Sequence, residues 1–441
     1  MKVQVHLNDL LLGTLAMING RTFFEFSSDY LSLGRPSPSP LHLPLRSGVF
    51  LCEKTAMLNL PGCCYDSLPD AWGQKIAELW FQTRGRKSLD EVMPLEQLCF
   101  IGDRGVGALS YRPDIAAEPD TRARELSDAL ELRRMEIAAR AVVEGLAGEV
   151  IPDLAALARV GSAGGARPKI WVWMRETDQG LQIAAVNRAN LDYVPYLLKF
   201  DLHGKGETDR EWGRIEHACA LMARAAGLRS VNTRLIETTD EKGVRRSHFA
   251  IQRFDRSPEG RRIHFHSLAG VMERDFSVGR IDYRDFFSVT AQLTQGNIEE
   301  LMEVFRRMAF NVSARIRDDH GKNHGFLLRN VGGRERWQLA PTYDAVFASP
   351  RHFPIHAMPI AGKSDNLTQD ELLALAEEFD LPKQKVSAAL EQIKDAIARW
   401  SEFADQAGIS AGRTDEVGKA MPSLGTATTL TSSRPSRCAA V

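Results

Sequence analysis

The pattern of apolar and polar positions changes along the chain and divides it into regions. Near the N-terminus, VQVHLNDLLLGTLA and RTFFEFS alternate apolar and polar residues around turns at Asn8-Asp9 and Asn19-Gly20. Alternation with a period of two, interrupted by Asn, Asp and Gly, is typical of short strands joined by tight turns. We therefore predict a β-rich domain over residues 1–112. The polar stretch DIAAEPDTRARELSD that follows favours a linker or a surface helix.

Residues 113–258 are predicted to form a small sheet with one packed helix. Four stretches, KIWVWMRE, LQIAAV, YVPYLLKF and SHFAIQRFDR, have the composition of strands. Between them, RIEHACALMARAAGL is amphipathic, and Gly227 stands where a helix C-cap is expected.

Helices are predicted to dominate residues 259–408. IEELMEVFRRMAFNVSARI repeats apolar residues every three or four positions, and TQDELLALAEEF opens with a capping box formed by Thr368 and Glu371. Within this region, GFLLRN and RWQLAPTYD predict a hairpin around VGGRE. Residues 409–441 are rich in Gly, Ser, Thr, Ala and Pro without an apolar period, so we expect a disordered tail.

The composition is that of a soluble globular protein and limits its partners. The 441 residues include 56 basic and 57 acidic ones, so the chain lacks the positive field that attracts nucleic acid or an anionic membrane. No window approaches the roughly 18 apolar residues of a membrane span, and the N-terminus alternates like a strand instead of forming a signal peptide. These features predict a cytoplasmic protein. The six scattered cysteines lack zinc-ligand spacing and are expected to be reduced thiols.

Chargeable residues are concentrated between the long predicted helix and the hairpin, in RIRDDHGKNHGFLLRN. Protein kinases carry a catalytic carboxylate and a metal-binding Asn on one loop, and a second metal-binding carboxylate elsewhere in the catalytic lobe. Asp318 and Asn323 have the kinase spacing of five positions, and Asp344 directly follows the second predicted strand. We predict that the hairpin folds Asp344 back beside Asn323, so that both bind one divalent cation.

The other parts of a phosphoryl-transfer site have candidates upstream. VGSAGGARPK is a glycine-rich turn before a strand, and glycine lets backbone N–H groups approach phosphate oxygens. Lys199 ends an apolar strand, where a lone ammonium group is costly to bury. Glu216, on the following helix, is placed to pair with it, as a strand Lys pairs with a helix Glu in protein kinases.

Each feature also has a purely structural interpretation. The polar loop is typical of a solvated turn or a helix cap, and Gly164-Gly165 of a plain turn. Lys199 can reach water through its long side chain, and RFDR can form an ion pair within a surface turn. The order of all the features along the chain favours the phosphoryl-transfer interpretation.

A second chemistry also fits the polar loop. His320 and His324 are four positions apart and flanked by Asp318 and Asp319, as on a helix that binds zinc or two metal ions in a hydrolase. Glycines in HGKNHG disfavour a continuous helix there.

In these motifs the chain resembles the HipA family, the serine/threonine kinase toxins of bacterial type II toxin–antitoxin systems. The resemblance runs in order through HLNDLLLGTL, FIGDRGVGALSYRP, GSAGGARPK, YLLKF, RFDR, RDDHGKNHGFL, LAPTYD and HAMPIAGK. It implies an α+β, kinase-like two-lobe fold with an extra β-rich N-terminal domain. The small lobe would span residues 113–258 and the helical catalytic lobe residues 259–408.

The resemblance also implies roles for individual residues. Asp318 corresponds to the catalytic carboxylate, while Asn323 and Asp344 correspond to the Mg²⁺ ligands. The residues expected at the ATP site are Ser162, Gly164, Gly165, Lys169, Lys199, Phe254, Asp255, His320 and Lys322. Among them, backbone groups near Phe254 would form the adenine hinge, and Ser162 stands where family members carry an inactivating autophosphorylation. Gln252 departs from the Glu that some members have in the hinge.

The resemblance further implies partners and a substrate class. We expect a small dimeric helix-turn-helix antitoxin, similar to HipB, which would make the contact with operator DNA, and a protein substrate from the translation machinery. Two other functions stay open at this point. One is a phosphotransferase for small molecules on a similar fold, and the other is a corepressor without catalysis.

Overall fold

Three antiparallel sheets, one in each predicted region, organise the chain. The computed structural model describes residues 1–421 apart from 87, 115–131, 147–150, 152, 162–163, 179, 185–191, 203–210, 240–242, 244, 258, 276–279 and 350–352. The predicted linker after residue 114, most of the predicted tail and Ser162 therefore lie outside the described residues.

The N-terminal sheet has the strand order β4-β3-β2-β1-β5. Its elements are β1 (Lys2–Leu7), β2 (Leu10–Ile18), β3 (Arg21–Phe26), α1 (Ser28–Ser32), β4 (Val49–Cys52), α2 (Gly62–Tyr65), α3 (Ala71–Gln82), α4 (Pro94–Ile101) and β5 (Leu109–Pro113). The predicted turns at Asn8 and Asn19 both join antiparallel neighbours, and both residues have positive φ. The β-rich prediction describes only part of this region, because α2, α3 and α4 fill the connection from β4 to β5.

The second sheet has the strand order β7-β6-β8-β10-β9. Its elements are α5 (Leu132–Val143), α6 (Leu154–Val160), β6 (Lys169–Thr177), β7 (Gly180–Ala184), β8 (Val194–Lys199), α7 (Trp212–Ala225), β9 (Thr233–Thr239) and β10 (Arg245–Gln252). The four predicted strands and the helix ending before Gly227, whose φ is +80°, are all present. Two further helices, α5 and α6, pack with this sheet, where one helix was predicted.

The C-terminal region is mainly helical around a three-stranded sheet of order β11-β12-β13. Its elements are β11 (His264–Ser267), α8 (Leu268–Met272), α9 (Tyr283–Leu293), α10 (Ile298–Ser313), β12 (Gly325–Val331), β13 (Arg334–Leu339), α11 (Gln369–Glu378), α12 (Lys383–Ala398), α13 (Trp400–Gln406) and α14 (Ala411–Ala420). The predicted long helix and hairpin are confirmed as α10 and β12–β13. The prediction of a disordered tail from residue 409 is wrong for α14, because Val417 is buried and Trp400 donates its indole N–H to the Thr414 carbonyl at 3.0 Å.

The apolar core is divided between the regions but is shared at their border. One cluster fills the C-terminal helices and another the N-terminal sheet. A third cluster combines Trp72 and Ile76 of α3 with residues of α5, α6 and the second sheet. The N-terminal region thus contributes side chains to the core of the region that follows.

Buried charge also joins the N-terminal region to the rest of the chain. Asp255, which is 2% exposed, accepts hydrogen bonds from Arg253 at 2.7 Å, from Arg256 at 2.8 Å and from the backbone N–H of Gly107 at 2.7 Å. Burial alone would raise the pKa of Asp255, but the two guanidinium groups and the Gly107 N–H hold it well below its usual range. The RFDR motif therefore forms a buried junction between the two regions. The alternative interpretation, an ion pair within a surface turn, is wrong.

A second junction is formed by Asp66, at the C-terminal end of α2. Its carboxylate accepts hydrogen bonds from the backbone N–H of Ser267 at 2.7 Å and the Ser267 hydroxyl at 2.6 Å, and it lies 2.7 Å from Nδ1 of His266. Because β11 ends at Ser267, this carboxylate fixes α2 against the C-terminal region.

Within the part of the chain that the structure describes, none of the helices has the length and apolar character needed to cross a membrane. The five cysteines in the same part, Cys52, Cys63, Cys64, Cys99 and Cys219, form no disulfide, as predicted.

Asp255→Asn is expected to destabilise the protein by about 3–5 kcal/mol, because it leaves two buried guanidinium groups without a carboxylate. The midpoint of urea unfolding should fall accordingly. Glu299→Gln is the control: it removes an ion pair with Lys385 whose side chains are 63% and 48% exposed, and such pairs contribute at most about 1 kcal/mol. Equal midpoints for the two variants would contradict a stabilising role for the Asp255 junction.

Candidate functional site

The predicted site residues converge where the second sheet meets the segment between α10 and β12. The hairpin β12–β13 pairs Phe326 with Leu339, so the chain returns toward the polar loop as predicted. The hydroxyl of Tyr343 then donates a hydrogen bond to the Lys322 carbonyl at 2.7 Å. This contact brings Asp344, the next residue, close to the loop that carries Asp318 and Asn323.

Lys199 is the central cation of the cleft. It ends β8 with its side chain only 8% exposed, and its Nζ lies 2.5 Å from Oε1 of Glu216 on α7. The same Nζ donates to Oδ1 of Asp344. Burial would lower the pKa of Lys199, but the charges of Asp344 and Glu216 outweigh burial and raise it. Lys199 is thus a charged group held by carboxylates from two elements, and it does not extend to water.

The two carboxylates beside Lys199 differ in their electrostatics. Burial raises the pKa of both side chains. For Asp344, attraction to Lys199 and Lys169 outweighs burial and holds the pKa well below its usual range. For Glu216, burial and the nearby charge of Asp344 prevail over Lys199, so its pKa is raised. Asp344 is therefore the more strongly ionised of the two carboxylates.

Lys169 adds a second buried cation beside Lys199. The two lysines stand opposite each other in the pairing of β6 with β8, an arrangement that destabilises a sheet unless opposite charge is near. Burial and the charge of Lys199 lower the pKa of Lys169 to about 8, while Asp344 opposes the shift. The Nζ of Lys169 donates to the carbonyl of Gly164 in the glycine-rich turn. The turn and Lys199 are thereby connected through Lys169.

Asp318 and Asn323 form the two ends of a short loop. The Nδ2 of Asn323 donates to the main-chain carbonyl of Asp318 at 2.7 Å, which leaves Oδ1 as the group able to bind a cation. Burial, together with the charges of Asp344 and Asp319, raises the pKa of the Asp318 carboxyl against the effect of His320, which lies 3.7 Å away. A carboxylate with a raised pKa is better suited to accept a proton.

Asp319, which was not predicted as a site residue, holds this loop against the protein interior. It is 1% exposed and accepts hydrogen bonds from the Tyr283 hydroxyl at 2.9 Å and the Ala357 N–H at 2.9 Å, with His356 Nδ1 at 3.1 Å. Asp319 thus supports the loop, whereas the neighbouring Asp318 is influenced by the charges of Asp344 and His320.

The two histidines of the loop do not form a metal site. The segment between α10 and β12 is not helical. His324 is buried with its ring 4.7 Å from the Phe286 ring, whereas His320 lies near Asp318. Within the described ranges, there is no group of three or more His, Cys, Asp or Glu residues arranged to bind a metal ion. The zinc-hydrolase alternative therefore has no geometric support.

The predicted hinge follows the exit of β10. Phe254 stacks on Tyr343 with ring centroids 5.2 Å apart, next to the residue that contacts Lys199. The Gln252 side chain accepts a hydrogen bond from Asn232 at 3.0 Å. Asp255, predicted at the ATP site, is instead enclosed by Arg253, Arg256 and Gly107, so this expectation is corrected: its carboxylate is committed to the junction between regions.

One acidic residue from the N-terminal region enters the site and was also not predicted. Asp70 accepts a hydrogen bond from the Gly165 N–H at 3.2 Å, and it also pairs with Lys322. No local pattern indicates this contact, because Asp70 and Lys322 are separated by 252 positions. The structure therefore brings together every predicted site residue that it describes except Asp255, and adds Asp70 and Asp319.

Comparisons with known proteins identify the family and the fold. Residues 3–112 match the HipA N-terminal domain family, and residues 161–400 match the HipA-like C-terminal domain family. The structure is similar to that of HipA from Shewanella oneidensis MR-1, solved with HipB and its operator DNA as a toxin–antitoxin complex. The TM-score is 0.65, at 18% identity, over 95% of this chain and 94% of that chain.

A curated relative from Haemophilus influenzae, named a putative kinase, is 26% identical over 143 residues, which are 31% of this chain. The match spans 41% of that relative's length. The similarity to the Shewanella structure confirms the predicted α+β, kinase-like fold with an additional N-terminal domain. The matches to both domain families show that the chain belongs to the HipA family.

Proposed function

We propose that this chain is an ATP-dependent serine/threonine protein kinase that acts as the toxin of a toxin–antitoxin pair. The observation that carries the proposal is the Lys199 ammonium held between Glu216 and Asp344, with the Asp318–Asn323 loop beside it. A buried Lys–Glu pair next to a carboxylate that follows a strand is the arrangement that protein kinases use to hold nucleotide phosphates.

The oxygen donors of the cleft fit Mg²⁺. Asp344, whose pKa Lys199 and Lys169 lower against the effect of burial, and the Oδ1 of Asn323 would hold the ion. Hard cations prefer such oxygen ligands, and Mg²⁺ in kinases takes one or two carboxylates together with phosphate oxygens and water. When bound, the ion neutralises charge that develops on the phosphates.

Asp318 acts as the base in this proposal. Its raised pKa and its position beside Asn323 and Asp344 suit a carboxylate that orients a Ser or Thr hydroxyl and accepts its proton. His320 lies 3.7 Å from Asp318 and, when protonated, would add positive charge near the transferred group. Catalysis of this kind depends on positioning and charge, so the rigid support that Asp319 gives the loop is part of the machinery.

The nucleotide lies between the second sheet and the helical region. Lys199, Lys169 and Lys322 supply positive charge for the phosphates, and Gly164 and Gly165 belong to the turn that covers them. The adenine ring contacts the backbone near Phe254. The Oε1 of Gln252, at the exit of β10, accepts a hydrogen bond from Asn232.

The partner follows from the same family assignment. A HipB-like dimeric antitoxin with a helix-turn-helix would bind the operator, and the kinase would reach DNA through it. Support comes from the fold shared with a HipA solved with HipB and operator DNA, and from the near-equal 56 basic and 57 acidic residues of this chain. The substrate is a protein, with the translation machinery as the expected source. Ser162 is the proposed autophosphorylation site.

Asp318→Asn, Asp344→Asn and Lys199→Ala are each expected to lower phosphate transfer by at least about 100-fold, because base, metal ligand and phosphate cation act together. The measurement is transfer of labelled γ-phosphate to protein, with circular dichroism to verify folding. Full activity in any of the three variants would overturn these assignments.

Mass spectrometry of the wild-type chain after incubation with ATP shows whether Ser162 is phosphorylated.

Phosphate transfer and ATP binding distinguish the alternative functions. Transfer to a sugar or an antibiotic, with none to protein, would favour the small-molecule phosphotransferase. Absence of Mg²⁺-dependent ATP binding would favour the corepressor.

ATP affinity is expected to fall as pH rises through about 8, where the buried Lys169 loses its charge. Below this pKa the Lys169 side chain is a charged ammonium group that attracts phosphate, and above it the side chain is a neutral amine that does not. Lys169→Met should bind ATP more weakly at pH 7 and with little change between pH 7 and 9. Isothermal titration at several pH values tests this, and parallel pH profiles for the two proteins would contradict it.

The chain is expected to co-purify with the product of a neighbouring small helix-turn-helix gene. The complex, but not the chain alone, should shift operator DNA in a gel. The charge balance gives the reason, since the chain has no net basic field of its own. A chain that binds the operator equally well without its partner would contradict the indirect DNA contact.

A further inference from the structure

A short segment of the N-terminal region, from Tyr65 to Trp72, reaches into the phosphate side of the cleft. Asp70, directly before α3, lies against the glycine-rich turn. Trp72 binds the same turn and the adjacent strand: its backbone N–H donates to the Gly165 carbonyl at 3.2 Å, and its indole donates to the Lys169 carbonyl at 2.8 Å. The turn is therefore held from outside the kinase-like body.

The Gly164–Gly165 peptide group is fixed on both sides. Its carbonyl accepts from the Nζ of Lys169, and its N–H donates to the carboxylate of Asp70. The fit leaves no room for side chains: a Cβ on Gly164 would lie 2.5 Å from Asp70 Oδ2, and one on Gly165 would lie 2.6 Å from Lys169 Nζ. Gly165 also has a φ of +97°, which favours glycine.

The same carboxylate holds Lys322 of the catalytic loop. The Lys322 side chain is 12% exposed, and its Nζ contacts Asp70 and lies 4.9 Å above the Tyr65 ring. Because the same carboxylate contacts both groups, Asp70 sets the position of Lys322 relative to the glycine turn.

We propose that Asp70 is a positioning residue for nucleotide phosphates: it fixes the glycine turn and Lys322 in one arrangement from the N-terminal domain. This proposal rests on the proposed kinase function and adds a role for the N-terminal domain in it. Without the carboxylate, the Gly165 N–H and the Lys322 ammonium each lose the Asp70 oxygen that they contact, so the glycine turn and Lys322 are no longer held by one side chain. Displacements of about 1 Å are enough to weaken such sites strongly.

The test compares Asp70→Asn with the wild-type chain, using titration calorimetry with ATP, ADP and adenosine in Mg²⁺. Asn has the same shape and can still accept from Gly165, but it cannot neutralise Lys322. Affinity for ATP and ADP should fall at least about tenfold, while affinity for adenosine stays within about twofold, since adenosine lacks the phosphates. In the transfer assay, KM for ATP should rise with a much smaller change in kcat.

Glu335→Gln is the matched control. Arg35 and Glu335 form another ion pair between the N-terminal region and the body, and the Glu335 side chain is 21% exposed, close to the 22% of Asp70. This variant should leave the affinities for all three ligands unchanged. Gly164→Ala is a second probe, because its Cβ would push against Asp70, and it should reproduce the selective loss of ADP affinity.

The possible outcomes distinguish failure of the proposed kinase function from failure of the positioning role of Asp70. A wild-type chain that binds no ATP removes the kinase function and the role of Asp70 with it. ATP binding by wild type with unchanged ADP affinity in Asp70→Asn removes the positioning role alone. An equal loss for adenosine would show general damage, and a gain of ADP affinity would show that Asp70 competes with the phosphates. Either result also overturns the proposal.

Discussion

The cleft depends on the ion pairs that the buried ammonium group of Lys199 forms with Glu216 and Asp344. An isolated cation at 8% exposure would be very costly, so the fold must bring carboxylates to it. One comes from α7, which packs on the same sheet, and the other from the segment after β13, in the helical region. Removing one partner of such a pair typically costs about 3–5 kcal/mol. The Lys199 ammonium is thus held both by a carboxylate of its own region, Glu216, and by Asp344 of the helical region.

Three carboxylates join the N-terminal region to the rest of the molecule. Asp66 binds the end of β11, Asp255 binds the N-terminal loop at Gly107, and Asp70 joins the glycine turn to Lys322. Each of them accepts a hydrogen bond from a backbone N–H group and also contacts a polar or charged side chain. The relative position of the regions is thus set by directional contacts, in addition to the shared apolar cluster around Trp72.

Secondary structure and site residues were predicted from the sequence where they depend on neighbouring positions along the chain. Helix α10 and the hairpin β12–β13 were predicted because their apolar periods are regular, and the spacing of Asp318, Asn323 and Asp344 matched a known chemistry. Contacts between distant segments were missed, because the local sequence around Asp70 carries no sign of a lysine 252 positions away.

Helix α14 and the role of Asp255 were predicted wrongly from local sequence patterns. Helix α14 has a composition of small and polar residues typical of disorder, yet tertiary packing around Val417 orders it. Asp255 was assigned to the nucleotide because its motif lies at the hinge, whereas burial between two arginines gives its carboxylate a different task. In both cases the neighbours in space, which a pattern along the chain does not record, decided the outcome.

The junction around Asp255 has an evolutionary consequence. Arg256 and Arg262 donate to main-chain oxygens of the loop 105–109, and every residue type has such an oxygen. These hydrogen bonds therefore do not depend on the side chains of the loop. Its packing does, because Ala108 and Leu109 are buried and a Cβ on Gly107 would lie 2.8 Å from the Phe265 nitrogen. Substitution in this loop is limited by the fit to the core and not by loss of the hydrogen bonds to the arginines.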